Sequence, residues 1–128
     1  MFRFATAGES HGQAVIVVVE GMPSGVEITA EEIDTDLARR QRGYGRSERM
    51  AVERDHAEIL AGVRRGRTTG APIALMIENR EWMRWKSAMS ILPVREGEDD
   101  DGRFTVPRPG HADLAGHWKY GHDDLRDV

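Results

Sequence analysis

Residues 3–21, "RFATAGESHGQAVIVVVEG", decide how the rest of the chain is read. "RFATA" and "QAVIVVVEG" are rich in aromatic and β-branched residues, which predicts two strands. The second run is continuous enough to predict a strand buried on both faces. Between them Gly8 and Gly12 enclose Glu9, Ser10 and His11. Glycine lets backbone approach a ligand closely, so this stretch reads either as a plain turn or as a loop that carries chemistry.

Working outward, "MPSG" at 22–25 breaks the chain. Thr29 and Glu32 have the capping-box spacing, and Ile33, Leu37 and nearby alanines share one face, which predicts a helix over 30–42 with Gly43 as its stop. Its acids come early and its arginines late, the order that suits the helix dipole. Beyond the glycine-punctuated loop "GYGRSER", the segments "MAVE", "AEILAGV" and "APIALMIEN" predict strands, with "RRGRTTG" and "ENRE" as turns. In "EWMRWKSAMSIL", Trp82, Trp85 and Met89 fall at helical spacing as a packing stripe. The acidic block "EGEDDDG" at 96–102 predicts an exposed, mobile loop, "PRPGHAD" a rigid turn, and "ADLAGHWKYG" a short helix with Leu114 and Trp118 on one side. Strand, helix and then several strands make an α+β chain.

A length of 128 residues suits one domain, and 39% hydrophobic content is at the low edge for an ordinary core. No apolar run nears the ~20 residues of a membrane span. The N-terminus has no basic segment leading into an apolar signal core, so a cytoplasmic protein without membrane association is expected. With no cysteine there is no disulfide framework or thiolate metal site. Net charge is −4, which argues against a protein that coats nucleic acid. Yet six arginines, Arg39, Arg40, Arg42, Arg46, Arg49 and Arg54, crowd into residues 39–54. Guanidinium forks grip carboxylates and phosphates bidentately, so the sharp reading is a small, multiply anionic ligand, with Arg108 adding another fork. A solvated helix end is the plain alternative. A nucleic-acid-binding module, with Tyr44 and Trp82 stacking on bases, is opposed by the interrupting Glu48 and Glu53 and by the net charge.

Five histidines lie at 11, 56, 111, 117 and 122. Three of them, beside Asp113, Asp123 and Asp124, match no helix-borne metal-ligand spacing, so no metal is expected. His56, His117 and His122 are expected at the surface. His11 and His111 sit in loops stiffened by glycine or by Pro109-Gly110, where an imidazole can give or take a proton near neutral pH. "GESHG" is not a nucleophile elbow, because Ser10 falls out of the required register.

In order along the chain, "AGESHG" (7–12), "RRQRGYGR" (39–46), "TTGAPI" (68–73), "RPGHAD" (108–113) and "KYGHDD" (119–124) resemble the chorismate synthase family. The resemblance runs from Phe4 to Asp124. It implies a lyase of the shikimate pathway that converts 5-enolpyruvylshikimate 3-phosphate to chorismate by 1,4-anti elimination of phosphate, with reduced FMN as cofactor and no net redox change. The implied fold is a β-α-β sandwich, and the implied assembly is a homotetramer.

Carried over residue by residue, the resemblance makes His11 the general acid for the departing phosphate and gives His111 a hydrogen bond to the reduced flavin. Arg40, Arg46, Arg49 and Arg108 would hold the substrate's two carboxylates and phosphate, with Ser10 and Glu9 in support. Arg40 and Arg46 are also the positions that contact NADPH in members that reduce their own flavin. The family's "RASAR"-type flavin-contacting segment and a proton-relaying aspartate would follow Val128. Residues 1–128 are therefore expected to form the N-terminal portion of a single domain, with an incomplete fold and a tendency to aggregate. A catalytically inactive remnant that binds phosphorylated anions or partner subunits is the alternative within the same resemblance.

Overall fold

The computed structural model describes residues 1–9, 11–41, 55–93 and 102–128. Its elements are β1 (Arg3–Ala7), β2 (Ala14–Glu20), α1 (Ala30–Gln41), β3 (Glu58–Ala61), β4 (Val63–Arg64), β5 (Arg67–Thr68), β6 (Ile73–Glu78), α2 (Trp82–Trp85), α3 (Asp113–Tyr120) and a final 3₁₀ turn (Leu125–Asp127). They fall into two units, Met1–Met83 and Arg84–Val128.

The first unit is built on an antiparallel sheet of order β1-β2-β6-β3. The two runs of the opening stretch pair as a hairpin, with Thr6 opposite Val17, and β2 then takes β6 on its other edge, with Val17 opposite Leu75. The expectation that β2 is buried on both faces does not hold. Ala14, Val17 and Val19 are half-buried, whereas Val15 is 47% exposed and Ile16 and Val18 are exposed as well. The apolar run reflects a central position in the hydrogen-bonding direction, since both edges of β2 are paired. Its faces are only partly covered, as antiparallel sheets allow.

Helix α1 follows the predicted bounds to within a residue and begins with the predicted capping box. The Thr29 N–H donates to Glu32 Oε2 at 2.9 Å, and the Glu32 N–H donates to Thr29 Oγ1 at 3.2 Å. Asp34 on this helix accepts from the Ala57 N–H at 2.8 Å and bonds His56, which ties α1 to the segment entering β3. The predicted stop at Gly43 and the strand "MAVE" lie outside the described residues.

"RRGRTTG", read as a turn, contains the β4–β5 hairpin. Arg65 and Gly66 both have positive φ, 51° and 73°, the pattern of a two-residue type I′ turn. Thr68 is buried and joins this hairpin to the loop before α1. Its hydroxyl accepts from the Val26 N–H at 3.0 Å and donates to the Pro23 carbonyl, while its own N–H donates to the Val26 carbonyl at 2.9 Å.

The predicted Trp82–Met89 helix, which begins in the first unit and runs into the second, is shorter than expected. Regular helix ends at Trp85, and the chain turns on through Met89, whose N–H reaches the Trp85 carbonyl at 2.8 Å. Trp85 meets Phe104 edge-on at 6.4 Å, and the Arg126 guanidinium lies over the Phe104 ring, 5.2 Å from its centroid. The Leu125 N–H donates to the Phe104 carbonyl at 2.8 Å. Helix α3 fills the predicted span and ends at Gly121 in the left-handed conformation. Leu114 and Trp118 lie one turn apart as expected, and that side is exposed, Trp118 to 76%. The buried side carries Asp113 and Gly116 instead. Most of the acidic block lies outside the described residues. Among those described, the buried apolar side chains are Ala57, Ile73 and Leu125, a small core for two units.

Candidate active site

His11 sits in the β1–β2 loop, half-buried. Gly8 has φ +139°, and a Cβ there would lie 2.7 Å from the Ala14 carbonyl oxygen and 2.9 Å from Val15 Cα. Only glycine fits, so the loop's glycine meets a backbone requirement at the point where β1 leaves the hairpin. The Gly12 N–H donates to the Glu9 carbonyl at 3.1 Å and closes a tight turn around His11.

Asn79, at the end of β6, holds this loop from outside. Its Nδ2 donates to the Gly12 carbonyl at 2.9 Å, its backbone N–H donates to the Gln13 carbonyl at 3.0 Å, and its Oδ1 accepts from the Glu81 N–H at 3.1 Å. One carboxamide thus joins the His11 loop to the start of α2. Sequence reading placed Asn79 in a turn and missed this role. An asparagine closing an apolar strand was the available signal, and it points to many different turn geometries.

Of the proposed anion-binding arginines, Arg40 and Arg108 are described, while Arg46, Arg49 and Ser10 lie outside the described residues. Arg40 Nη2 donates to Asp55 Oδ2 at 2.9 Å, with the Arg40 side chain 59% exposed and that of Asp55 19% exposed. A local carboxylate thus already holds part of this fork.

Arg108 and His111 are brought together. The His111 N–H donates to the Arg108 carbonyl at 3.2 Å, closing the predicted turn, and Arg108 Nη2 is 3.2 Å from His111 Nδ1. Both side chains converge on Asp113. Arg108 presents Nε to Oδ2 and Nη2 to Oδ1, each at 3.0 Å, in a bidentate pair, and its backbone N–H adds a third bond at 2.9 Å. His111 Nδ1 supplies the fourth contact, to Oδ1. The Arg108 side chain, then its backbone N–H and then His111 hold the Asp113 carboxyl far below the usual carboxylate range, against the opposing effect of burial. Asp113 in turn raises the guanidinium above its ordinary value. Sequence reading noted Asp113 only as a neighbour of histidines.

The remaining histidines are accounted for locally. His56 is exposed and bonded to Asp34, and half-buried His117 bonds the His122 carbonyl through Nδ1, which anchors the end of α3. Among the described residues no cluster of three or more His, Asp or Glu side chains has the geometry of a metal site, and no helix is long and apolar enough to cross a membrane.

Comparisons with known proteins say which family shares this α+β framework. The chorismate synthase family model matches residues 2–128. The chain is 52% identical over 126 residues to chorismate synthases of Enterococcus faecalis and of Geobacillus sp. strain WCH70, in each case over 98% of this chain and 32% of the relative. A crystal structure of chorismate synthase is similar over 98% of this chain and 27% of its own, with a TM-score of 0.66 and 40% identity. The chain belongs to the chorismate synthase family, and it spans about a third of the length of the curated relatives it matches.

Proposed function

We propose that the chain supplies the proton-donating part of a chorismate synthase, the lyase that releases phosphate from 5-enolpyruvylshikimate 3-phosphate by 1,4-anti elimination to give chorismate. His11 is the general acid and gives its proton to the departing phosphate as the carbon–oxygen bond breaks. The observation that carries this reading is the loop around His11, where Gly8 admits no side chain and Asn79 holds the Gly12 carbonyl, so that a proton donor sits on a fixed support.

Arg108, with Arg40, Arg46 and Arg49, binds the substrate's carboxylates and phosphate, and Ser10 supports the loop. Arg108 and His111 lie beside one another and are partly exposed, and a guanidinium next to an imidazole that can be protonated is a donor set that would suit the anionic pyrimidine of a reduced flavin, with His111 as the residue that would bond it. Reduced FMN, when bound, lends electron density transiently to the substrate. Arg40 and Arg46 would also contact NADPH in a protein that reduces its own flavin. Residues 1–128 act as the N-terminal portion of one domain in a cytoplasmic homotetramer, and the exposed strand faces support contacts with more protein.

The test is anaerobic phosphate release from 5-enolpyruvylshikimate 3-phosphate with chemically reduced FMN. Joined to the remainder of a chorismate synthase, the chain is expected to turn over, and His11→Ala is expected to lower kcat by about 10²–10⁴-fold. By itself the chain is expected to bind substrate without turnover. An His11→Ala enzyme with undiminished kcat would remove His11 from the mechanism.

A further inference from the structure

Asp113 is an unusual residue to bury. Its side chain is 2% exposed, while the two side chains it holds, Arg108 and His111, are 52% and 38% exposed. A carboxylate has about four lone-pair sites, and here the Arg108 backbone N–H, Nε and Nη2 and His111 Nδ1 fill them. Nothing is left over for a substrate, so Asp113 acts through its neighbours.

The consequence for His111 follows from donor and acceptor counting. Its Nδ1 faces Asp113 Oδ1 and, at 3.2 Å, Arg108 Nη2. A bare Nδ1 lone pair would be set against a lone pair of the buried Asp113 carboxylate. An Nδ1–H instead makes a charge-assisted bond, and Arg108 Nη2 keeps Oδ1 as its acceptor. We propose that Asp113 is a positioning residue that fixes neutral His111 in its Nδ1–H tautomer, leaving Nε2 as an acceptor that becomes a donor only when the ring is an imidazolium. The tautomer stands on the geometry alone. What it means for the flavin rests on the function proposed above: an anionic reduced flavin that takes a hydrogen bond from Nε2 must meet a protonated His111, so its binding takes up a proton whenever the ring begins neutral. The charged groups facing the ring from its own turn and from α3 are Arg108 and Asp113, which are of opposite sign.

The experiment is ¹⁵N NMR of histidine-labelled protein at a pH where the rings are neutral, with the His111 signals assigned from His111→Gln. The expected spectrum has a protonated, pyrrole-type Nδ1 and an unprotonated, pyridine-type Nε2. A dominant Nε2–H form would overturn the proposal, whether or not flavin binds. In Asp113→Asn, folded as judged by its α3 amide signals, the tautomer ratio is expected to move severalfold toward Nε2–H, which a merely structural aspartate would not cause. An unchanged ratio there would also overturn it, and if that variant does not fold, the wild-type tautomer decides. Titration with reduced FMN in buffers of different ionisation enthalpy tests the flavin consequence separately. About one proton taken up per flavin, absent in His111→Gln, supports it. An Nδ1–H tautomer in a protein that binds no flavin would uphold the positioning role and refute the flavin reading.

Discussion

The loop around His11 and the turn around His111 hold similar side chains by different chemistry. The first is fixed by neutral groups, namely the Asn79 carboxamide, backbone hydrogen bonds and a glycine with no room for a Cβ. The second is fixed by charge, with a saturated carboxylate between a guanidinium and an imidazole. The Asn79 carboxamide and the backbone fix the first loop without adding a formal charge. An ionic support holds a nearby neutral ring in one tautomer and ties its neighbours' charges to its own. The difference matches the roles proposed for the two histidines, one that parts with its proton and one that faces a cofactor's charge.

The sharpest way to break this contrast is to remove each histidine in the complete enzyme. His11→Ala is expected to cut kcat by about 10²–10⁴-fold while reduced FMN binds as before. His111→Ala is expected to weaken flavin binding, read by fluorescence or calorimetry, so an enzyme in which the two effects are exchanged would refute the assignment. Acid should separate the units next. The Asp124 carboxyl is lowered from 3.8 to about 2, first by the Arg126 side chain and then by backbone N–H groups, and Asp113 lies lower still. Groups depressed by folding bind protons more tightly unfolded, so their stabilisation is present above about pH 4 and lost as pH falls through the folded values. Hydrogen exchange between pH 4 and pH 2 should therefore show residues 84–128 opening before the sheet. In the first unit Asp34 is also lowered, chiefly by the Ala57 N–H, so the link between α1 and the segment entering β3 should respond while the strand ladder persists.

Smaller effects test the neutral side. Gly8→Ala forces a side chain onto φ +139° and is expected to cost about 1–3 kcal/mol in denaturant unfolding, with a loss of turnover. Thr29→Ala removes one half of the capping box and should cost about 1 kcal/mol, confined to α1 and without effect on either histidine.

Much of this was legible in the sequence where the signal is local. The strands β1 and β2, the capping box of α1 and the span of α3 depend on neighbours a few residues apart. The burial of β2 was misread because an apolar run reports that a strand is central, while its cover comes from residues far away in the chain. The β4–β5 hairpin was hidden because Arg65 adopts a positive φ, which its residue type does not advertise. His11, Arg108 and His111 stood out because of their glycine and proline settings and the family resemblance. Asn79 and Asp113 did not, since a supporting residue is defined by what it touches across the fold.

The order of the sheet also bears on how the chain is made. β2 pairs with β1 through a short loop, but its other edge is closed by β6, which begins at Ile73, roughly fifty residues after Glu20. At a synthesis rate of about 5–20 residues per second, the hydrogen-bonding edge of "AVIVVVE" has no native partner for about 3–10 s on the ribosome. During that interval the most apolar of the described strands is a template for any other unpaired strand, so a chaperone that shields nascent β-edges should raise the yield of this protein more than one that acts after release.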